Sequence, residues 1–183
     1  NLASYLQRLV RRLKEETGIA GICTPHVLRH TYATELLSEG FTIHEVQEAL
    51  RQECGEIELE SGALPFHYTR YYEKELGPTP VRAVFGFAGG FDPGELAARK
   101  LHTNALEQEL ARRLGSPYPR PVNLDPGYLA PGKLVLASCK DFAHRLYLGQ
   151  GVYAEVTLSY RRDRFEPHEW TFPDYRSRDY DAF

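Results

Sequence analysis

Cysteine is scarce: Cys23, Cys54 and Cys139 are the only three in 183 residues, odd in number and far apart. A disulfide framework or a cysteine-based zinc site needs closely patterned thiols, so both are excluded and a reducing cytoplasm is the expected compartment. No run of about 18 apolar residues occurs, which argues against a membrane span. The amino-terminal stretch reads as a basic amphipathic helix without the apolar centre and cleavage site of a signal peptide. A basic excess is missing too. Lys and Arg number 22 against 25 acidic residues, for a net charge of -3, and residues 1 to 50 hold 5 basic and 6 acidic side chains. Surfaces that track nucleic-acid phosphates ordinarily show the opposite balance. Gly86, Gly89 and Gly90 are not followed by Lys-Ser/Thr and do not open a helix, so no phosphate-cradling loop is present. The 7 histidines show no zinc spacing; His26 and His30 stand one helical turn apart without the Glu of a His-Glu-x-x-His pattern. Neither a metal nor a cofactor is expected. The 42% apolar content is enough for one ordinary core.

What is present begins with Thr24-Pro25-His26-Val27-Leu28-Arg29-His30-Thr31-Tyr32-Ala33-Thr34, a His-x-x-Arg pair behind a Thr-Pro helix start. Guanidinium matches two phosphoryl oxygens bidentately and imidazole titrates near neutral pH, so the pair suits phosphate chemistry. Continued through Glu35-Leu36-Leu37-Ser38-Glu39-Gly40 to Val46-Gln47-Glu48-Ala49-Leu50, it resembles the catalytic domain of tyrosine recombinases of the phage-integrase and Xer type. The resemblance implies a DNA partner, with Arg29 holding the scissile phosphate and His26 assisting proton transfer. It also implies helices over residues 1 to 16, 25 to 39 and 43 to 52, with Thr24 capping the second and Pro25 at its first position.

The same resemblance is incomplete. The family also uses an earlier Arg and a Lys, which would precede this chain, and a second His or Trp and a Tyr nucleophile after the Val-Gln helix. Arg51-Gln52-Glu53-Cys54-Gly55 stands where the family has a Leu-Gly-His turn, and the next tyrosines are Tyr68, Tyr71 and Tyr72. Sites that act as a unit lose orders of magnitude in rate when one member goes. Residues 1–48 therefore read as a recombinase fragment without recombinase activity. Arg8, Arg11, Arg12 and Lys14 lie opposite Leu2, Leu6, Leu9, Val10 and Leu13, as a solvated helix face or a remnant DNA surface. Without the rest of its parent domain, the stretch 1 to 40 is expected to make few contacts with residues 80 to 183.

Residues 49–183 read as a second, α+β domain. The phrases are Glu56-Ile57-Glu58-Leu59-Glu60-Ser61, Tyr71 to Gly77, Lys100-Leu101-His102-Thr103-Asn104-Ala105-Leu106-Glu107, Pro121 to Leu129, Lys133 to Asp141 and His144 to Leu158. In this order they resemble domain-of-unknown-function family 4416 of hypothetical bacterial and archaeal proteins. That family opens with an apolar strand and a helix before the Glu-Ile-Glu phrase; recombinase sequence stands in their place here. A fusion of two genes and a joining of two reading frames both account for the junction between residues 41 and 55. The truncation of both halves there favours a recent or artefactual joining.

Local patterns fill in the class. Asp92-Pro93-Gly94-Glu95 starts a helix whose apolar side is Ala97, Leu101, Leu106, Leu110 and Leu114 and which Gly115-Ser116-Pro117 ends. Val152, Ala154, Val156, Leu158 and Tyr160 alternate with Tyr153, Glu155, Thr157 and Ser159, a strand paired through Gly149-Gln150-Gly151 with residues 145 to 148. Ile57, Leu59 and residues 64 to 72 and 81 to 87 are further strand candidates. An antiparallel sheet carrying helices follows, wrapped by a tail with Trp170, Phe172, Tyr175, Tyr180 and Phe183.

Candidate binding residues are Asp125, Tyr128, Lys140, Asp141, His144, Arg145 and Glu155. Asp125-Pro126-Gly127 carries a turn signal, in which Asp bonds to its own backbone. Lys140, His144 and Arg145 would take a small anionic ligand, with Asp141 orienting His144 and Tyr128 or Tyr153 lining the pocket. Neighbours on a regular strand face opposite ways, so His144 and Arg145 cooperate only across a turn or bulge at 143 to 145. His144 is expected inward and structural, and Arg145 is expected to bind. An Arg145–Glu155 pair with no cavity beside it would reduce the site to an ordinary cross-strand ion pair.

Overall fold

The computed structural model of the protein describes residues 29–37, 43–68, 73–87, 90–162 and 164–176. In chain order the elements are β1 (Arg29–Leu37), α1 (Ile43–Cys54), β2 (Ile57–Glu60), β3 (Leu64–Pro65), α2 (Glu73–Leu76), β4 (Val81–Phe87) and α3 (Leu96–Leu114). They continue as β5 (Val122–Ala130), β6 (Lys133–Ser138), β7 (Leu146–Gly149), β8 (Val152–Arg161), β9 (Arg164–Pro167) and α4 (Pro173–Arg176). The strands form one sheet in the order β2-β4-β1-β5-β6-β8-β7, with β3 added on β4 and β9 on β8. Every ladder is antiparallel. This is the α+β class expected.

The largest departure from expectation is β1. The recombinase resemblance implies a helix over 25 to 39, yet Arg29–Leu37 is a strand. It lies between β4 and β5, with rungs from Thr31↔Gly86 to Leu37↔Val81 on one side and from Arg29↔Leu129 to Leu37↔Val122 on the other. The register shifts on both sides between Ala33 and Glu35, which marks a bulge at Thr34. The physical reason is non-local. β4 and β5 are both buried, and a gap between them would strand two rows of backbone N–H and C=O groups. Thr31-Tyr32-Ala33-Thr34 suits a strand well enough for pairing on both edges to override the helix that the resemblance implies. The expectation of few contacts between residues 1 to 40 and 80 to 183 fails for the same reason. The helix expected over 1 to 16, the Thr24 cap, Pro25 and His26 lie outside the described residues.

Helix α1 forms where the Val-Gln phrase predicts it. Its Val46, Ala49 and Leu50 pack with Ala83, Phe85, Phe87, Leu106, Leu110, Val122 and Leu124 in a core between the sheet and α1 and α3. Asp92 starts the next helical segment as expected: its side chain accepts the Gly94 N–H at 2.8 Å, a short 3-10 turn over Pro93–Glu95 follows, and α3 runs to a left-handed Gly115 (φ 60). On the sheet's other face Val84, Leu129, Leu134 and Leu158 pack with Tyr160, Phe165 and Tyr175. The tail holds on there through Arg82, which pairs with Asp174 and lies over the Tyr175 ring at 4.4 Å. Tyr180 and Phe183 lie outside the described residues.

Asp125-Pro126-Gly127, expected as a turn, is the middle of β5. A Cβ on Gly127 would meet the Val135 carbonyl oxygen and the Leu136 side chain, so only glycine lets β5 and β6 close up at this rung. Gly127→Ala is expected to destabilise the fold by about 1–3 kcal/mol through overpacking, read as a lowered urea midpoint with an unchanged slope.

Candidate functional site

The sheet splits beside Gly127. The β5–β6 ladder runs from Ala130↔Lys133 to Gly127↔Leu136; beyond it β5 continues on β1 as far as Leu37↔Val122, while β6, paired with β8 from Lys133 onward, runs on against β8 alone at Ala137↔Ala154 and Ser138↔Tyr153. Pro126, the next residue of β5, has no N–H to give to a ladder. A cavity of ≈ 820 Å³ lies at the split, walled by Asn123 and Asp125 on one side, Leu136 to Lys140 on the other, α3, and the rings of Trp170 and Phe172.

The β5 wall is ionic. Lys100 of α3 is 1% exposed; its ammonium donates to the Leu124 carbonyl (2.5 Å) and to Asp125 (2.9 Å) and lies 3.6 Å from Glu107. Glu107 accepts the Leu124 N–H (2.7 Å) and a two-pronged contact from Arg120 (2.7 and 3.1 Å). Asn123 donates to the second Asp125 oxygen at 2.8 Å. Burial opposes the charge on Lys100, but the Asp125 and Glu107 carboxylates outweigh it and hold its pKa above the ordinary value. Burial likewise opposes the charge on Asp125, and Lys100 with Asn123 outweighs it and holds that pKa low. Arg120 is also raised: burial is opposed by its bonds to Glu107 and by the nearby Asp125 and Glu75. Both members of the Lys100–Asp125 pair are thus charged at neutral pH.

The opposite wall hangs on Glu155. His144 Nε2 lies 3.1 Å from Glu155 and Arg145 Nε donates to the same oxygen at 2.9 Å, while Arg145 Nη1 donates to Ser138 Oγ (2.8 Å) and the Lys140 carbonyl (2.9 Å). Cooperation is allowed because residues 143 and 144 form a turn and β7 starts only at Leu146. His144 is therefore not set apart from Arg145; both grip one carboxylate. Arg145 is paired to Glu155 as the ion-pair alternative requires, but the cavity lies beside the pair. Above them the His144 ring stacks between Phe142 (5.8 Å, 13°) and Trp170 (5.5 Å, 9°).

Of the residues singled out from sequence, Asp125, Lys140, His144, Arg145 and Glu155 line this cavity, and Tyr128 and Asp141 do not. Tyr128 packs edge-on against Phe91 in an apolar cluster, and Asp141 is exposed, so Glu155 holds His144 in its stead. Arg29 lies in β1 and His26 outside the described residues. Sequence reasoning missed Lys100, Glu107, Arg120 and Asn123. The signal was available: Lys100, Thr103 and Glu107 recur at helical spacing and are all buried, a polar stripe on a helix read for its leucines alone. Among the described residues no cluster of His, Cys, Asp and Glu is arranged to hold a metal, and no helix is long and apolar enough to cross a membrane.

Two family descriptions match the chain: Phage integrase family over residues 3–53, and Domain of unknown function (DUF4416) over residues 30–183. They overlap on the residues that build β1 and α1. Among curated proteins, an Integrase/recombinase of Escherichia coli is 48% identical over 44 residues, 24% of this chain and 13% of that protein. Tyrosine recombinase XerD of Listeria monocytogenes serotype 4b (strain F2365) is 32% identical over 69 residues (38% and 22%), and Tyrosine recombinase XerC of Brucella suis biovar 1 (strain 1330) is 40% identical over 48 (26% and 15%). The chain thus spans less than a quarter of the length of each of these recombinases. No solved structure matches it. Since the second match runs from residue 30 to residue 183, across the sheet, α3 and both cavity walls, the chain belongs to the DUF4416 family of domains of unknown function.

Proposed function

We propose that this chain is a ligand-binding α+β domain that takes a small anionic molecule in the cavity between β5 and β6, and that its integrase-like residues no longer recombine DNA. The observation that carries the first part is the pair of charged walls held apart around an opening of ≈ 820 Å³, within the roughly 300–1,000 Å³ usual for small-ligand pockets. Burying Lys100 and Glu107 is costly, and a fold that only needed stability would fill such a place with apolar side chains. Lys100, Arg120, Lys140 and Arg145 face Glu107, Asp125 and Glu155 across the lining, so cations prevail. Lys100 and Arg145 hold the walls through several bonds each, while Arg120 keeps Nη1 3.8 Å from Glu75, beyond hydrogen-bond reach, and is the donor best placed for a ligand. Inorganic phosphate and small carboxylates are expected to raise the melting temperature. At 100 times its Kd a ligand adds about 2.7 kcal/mol. Arg120→Gln should reduce the shift. No shift with either anion class, or shifts that Arg120→Gln leaves intact, would contradict the assignment.

In this reading the division at residue 48 marks ancestry, and the folded unit takes in β1 and α1. A second reading, residual DNA binding through His26 and Arg29, is favoured by the integrase match over residues 3–53. Against it, the Arg29 backbone is placed opposite Leu129 in the sheet rather than at a helix start aimed at a phosphate. A suicide DNA substrate that traps covalent intermediates is expected to give no adduct at Tyr68, Tyr71 or Tyr72, and DNA affinity with a steep salt dependence is expected to be absent. One trapped adduct would overturn the proposal of inactivity; salt-dependent binding without an adduct would favour the second reading.

A further inference from the structure

We infer that the ligand of this cavity joins a flat aromatic ring to its anionic group, an inference that rests on the anion-binding reading above. Trp170 is the one tryptophan of the chain, and it is 41% exposed although its indole N–H is tied to the Val156 carbonyl at 3.0 Å. Its ring stacks on His168 (4.7 Å, 6°) and on His144 (5.5 Å, 9°), and Phe142, 54% exposed, stacks in turn on His144. Hydrogen bonds fix the two imidazoles: His168 to Ser159 at 2.9 Å and His144 to Glu155 at 3.1 Å. The result is a rigid platform of near-parallel rings at the cavity wall, with Phe172 also 38% exposed. Aromatic faces prefer offset stacking on other rings, and prefixed orientation lowers the entropic cost of that contact. An inorganic anion would use only the charged part of this lining, and a neutral ring only its aromatic part. A molecule carrying both uses the whole.

The test is calorimetry, with Trp170 fluorescence as the site-specific signal, on three sets of probes. Adenosine monophosphate and phenylacetate carry ring and anion together, as phosphate and as carboxylate. Inorganic phosphate and acetate carry the anion alone, and adenosine and phenylacetamide the ring alone. At least one joined probe is expected to bind about tenfold or more tighter than either of its halves and to quench Trp170, and which of the two does so separates phosphate from carboxylate. Phe142→Ala, at an exposed ring, should weaken that probe about tenfold without changing the melting temperature or the binding of inorganic phosphate. Phosphate or acetate binding as tightly as the joined probes, with Trp170 unchanged, would overturn the ring and leave the anion site standing. Neutral rings binding equally well, or no probe binding at all, would overturn both.

Discussion

Removing residues 1 to 54 is expected to leave a chain that does not fold, although most of what goes resembles another protein family. The truncation deletes the strand between β4 and β5 and exposes both of their inner edges. It also removes Val46, Ala49 and Leu50, which are 0%, 5% and 1% exposed in the core under α1 and α3. Each large buried side chain of this kind contributes about 2–5 kcal/mol, against a total stability of about 5–15 kcal/mol for a domain, so the loss exceeds what the remainder can offset. Leu50→Ala alone is expected to cost about 2–5 kcal/mol in urea unfolding. An appendage merely fused to a finished domain would behave oppositely, with a cooperative unfolding transition surviving the truncation.

The second large effect is at Lys100. Lys100→Ala leaves Asp125 and Glu107 facing one another in the wall without their shared cation, and breaking a buried pair from one side costs about 3–5 kcal/mol. Asp125→Asn is expected to cost less, because Lys100 keeps Glu107 and the Leu124 carbonyl. The pH dependence separates the two groups. Asp125 has a lowered pKa in the fold, so its contribution is present above its unfolded value of about 3.9 and is lost as pH falls through the folded value. The Lys100 pKa is raised, so its contribution is complete below about 10.4 and is lost as pH rises through the folded value. Urea midpoints across pH should fall at both ends for the natural chain, and Lys100→Ala should flatten the alkaline fall.

Elements whose signals are local were legible. The Asp92-Pro93 start of the 3-10 turn that leads into α3, the end of α3 at Gly115, and the β7–β8 hairpin with φ above zero at Gly149, Gln150 and Gly151 follow from caps and turn residues. Glu155 was legible as well, as a polar residue within the His144 to Leu158 phrase, but the expected alternation of β8 was not: the register shifts at Thr157, so Val152, Ala154 and Val156 join one apolar cluster and Leu158 and Tyr160 another. β1 was not legible either. The strand propensity of Thr31-Tyr32-Ala33-Thr34 is too short a signal to stand against the helix that the resemblance implies, and its state is decided by two partners that lie about 50 and 90 residues further along the chain. Pro126-Gly127 misled in the other direction: the same residues that signal a turn also serve where two strands must part. The charged stripe on α3 was in plain view and was passed over because a helix was judged by its apolar face.

Amide hydrogen exchange across residues 29 to 37 tests most directly whether recombinase-like sequence forms an interior strand of this sheet. Amides of β1 that bond to β4 or β5 are predicted to exchange as slowly as those within Val81–Phe87 and Val122–Ala130, opening only with global unfolding. Fast exchange throughout residues 29 to 37, with β4 and β5 still protected, would contradict the account.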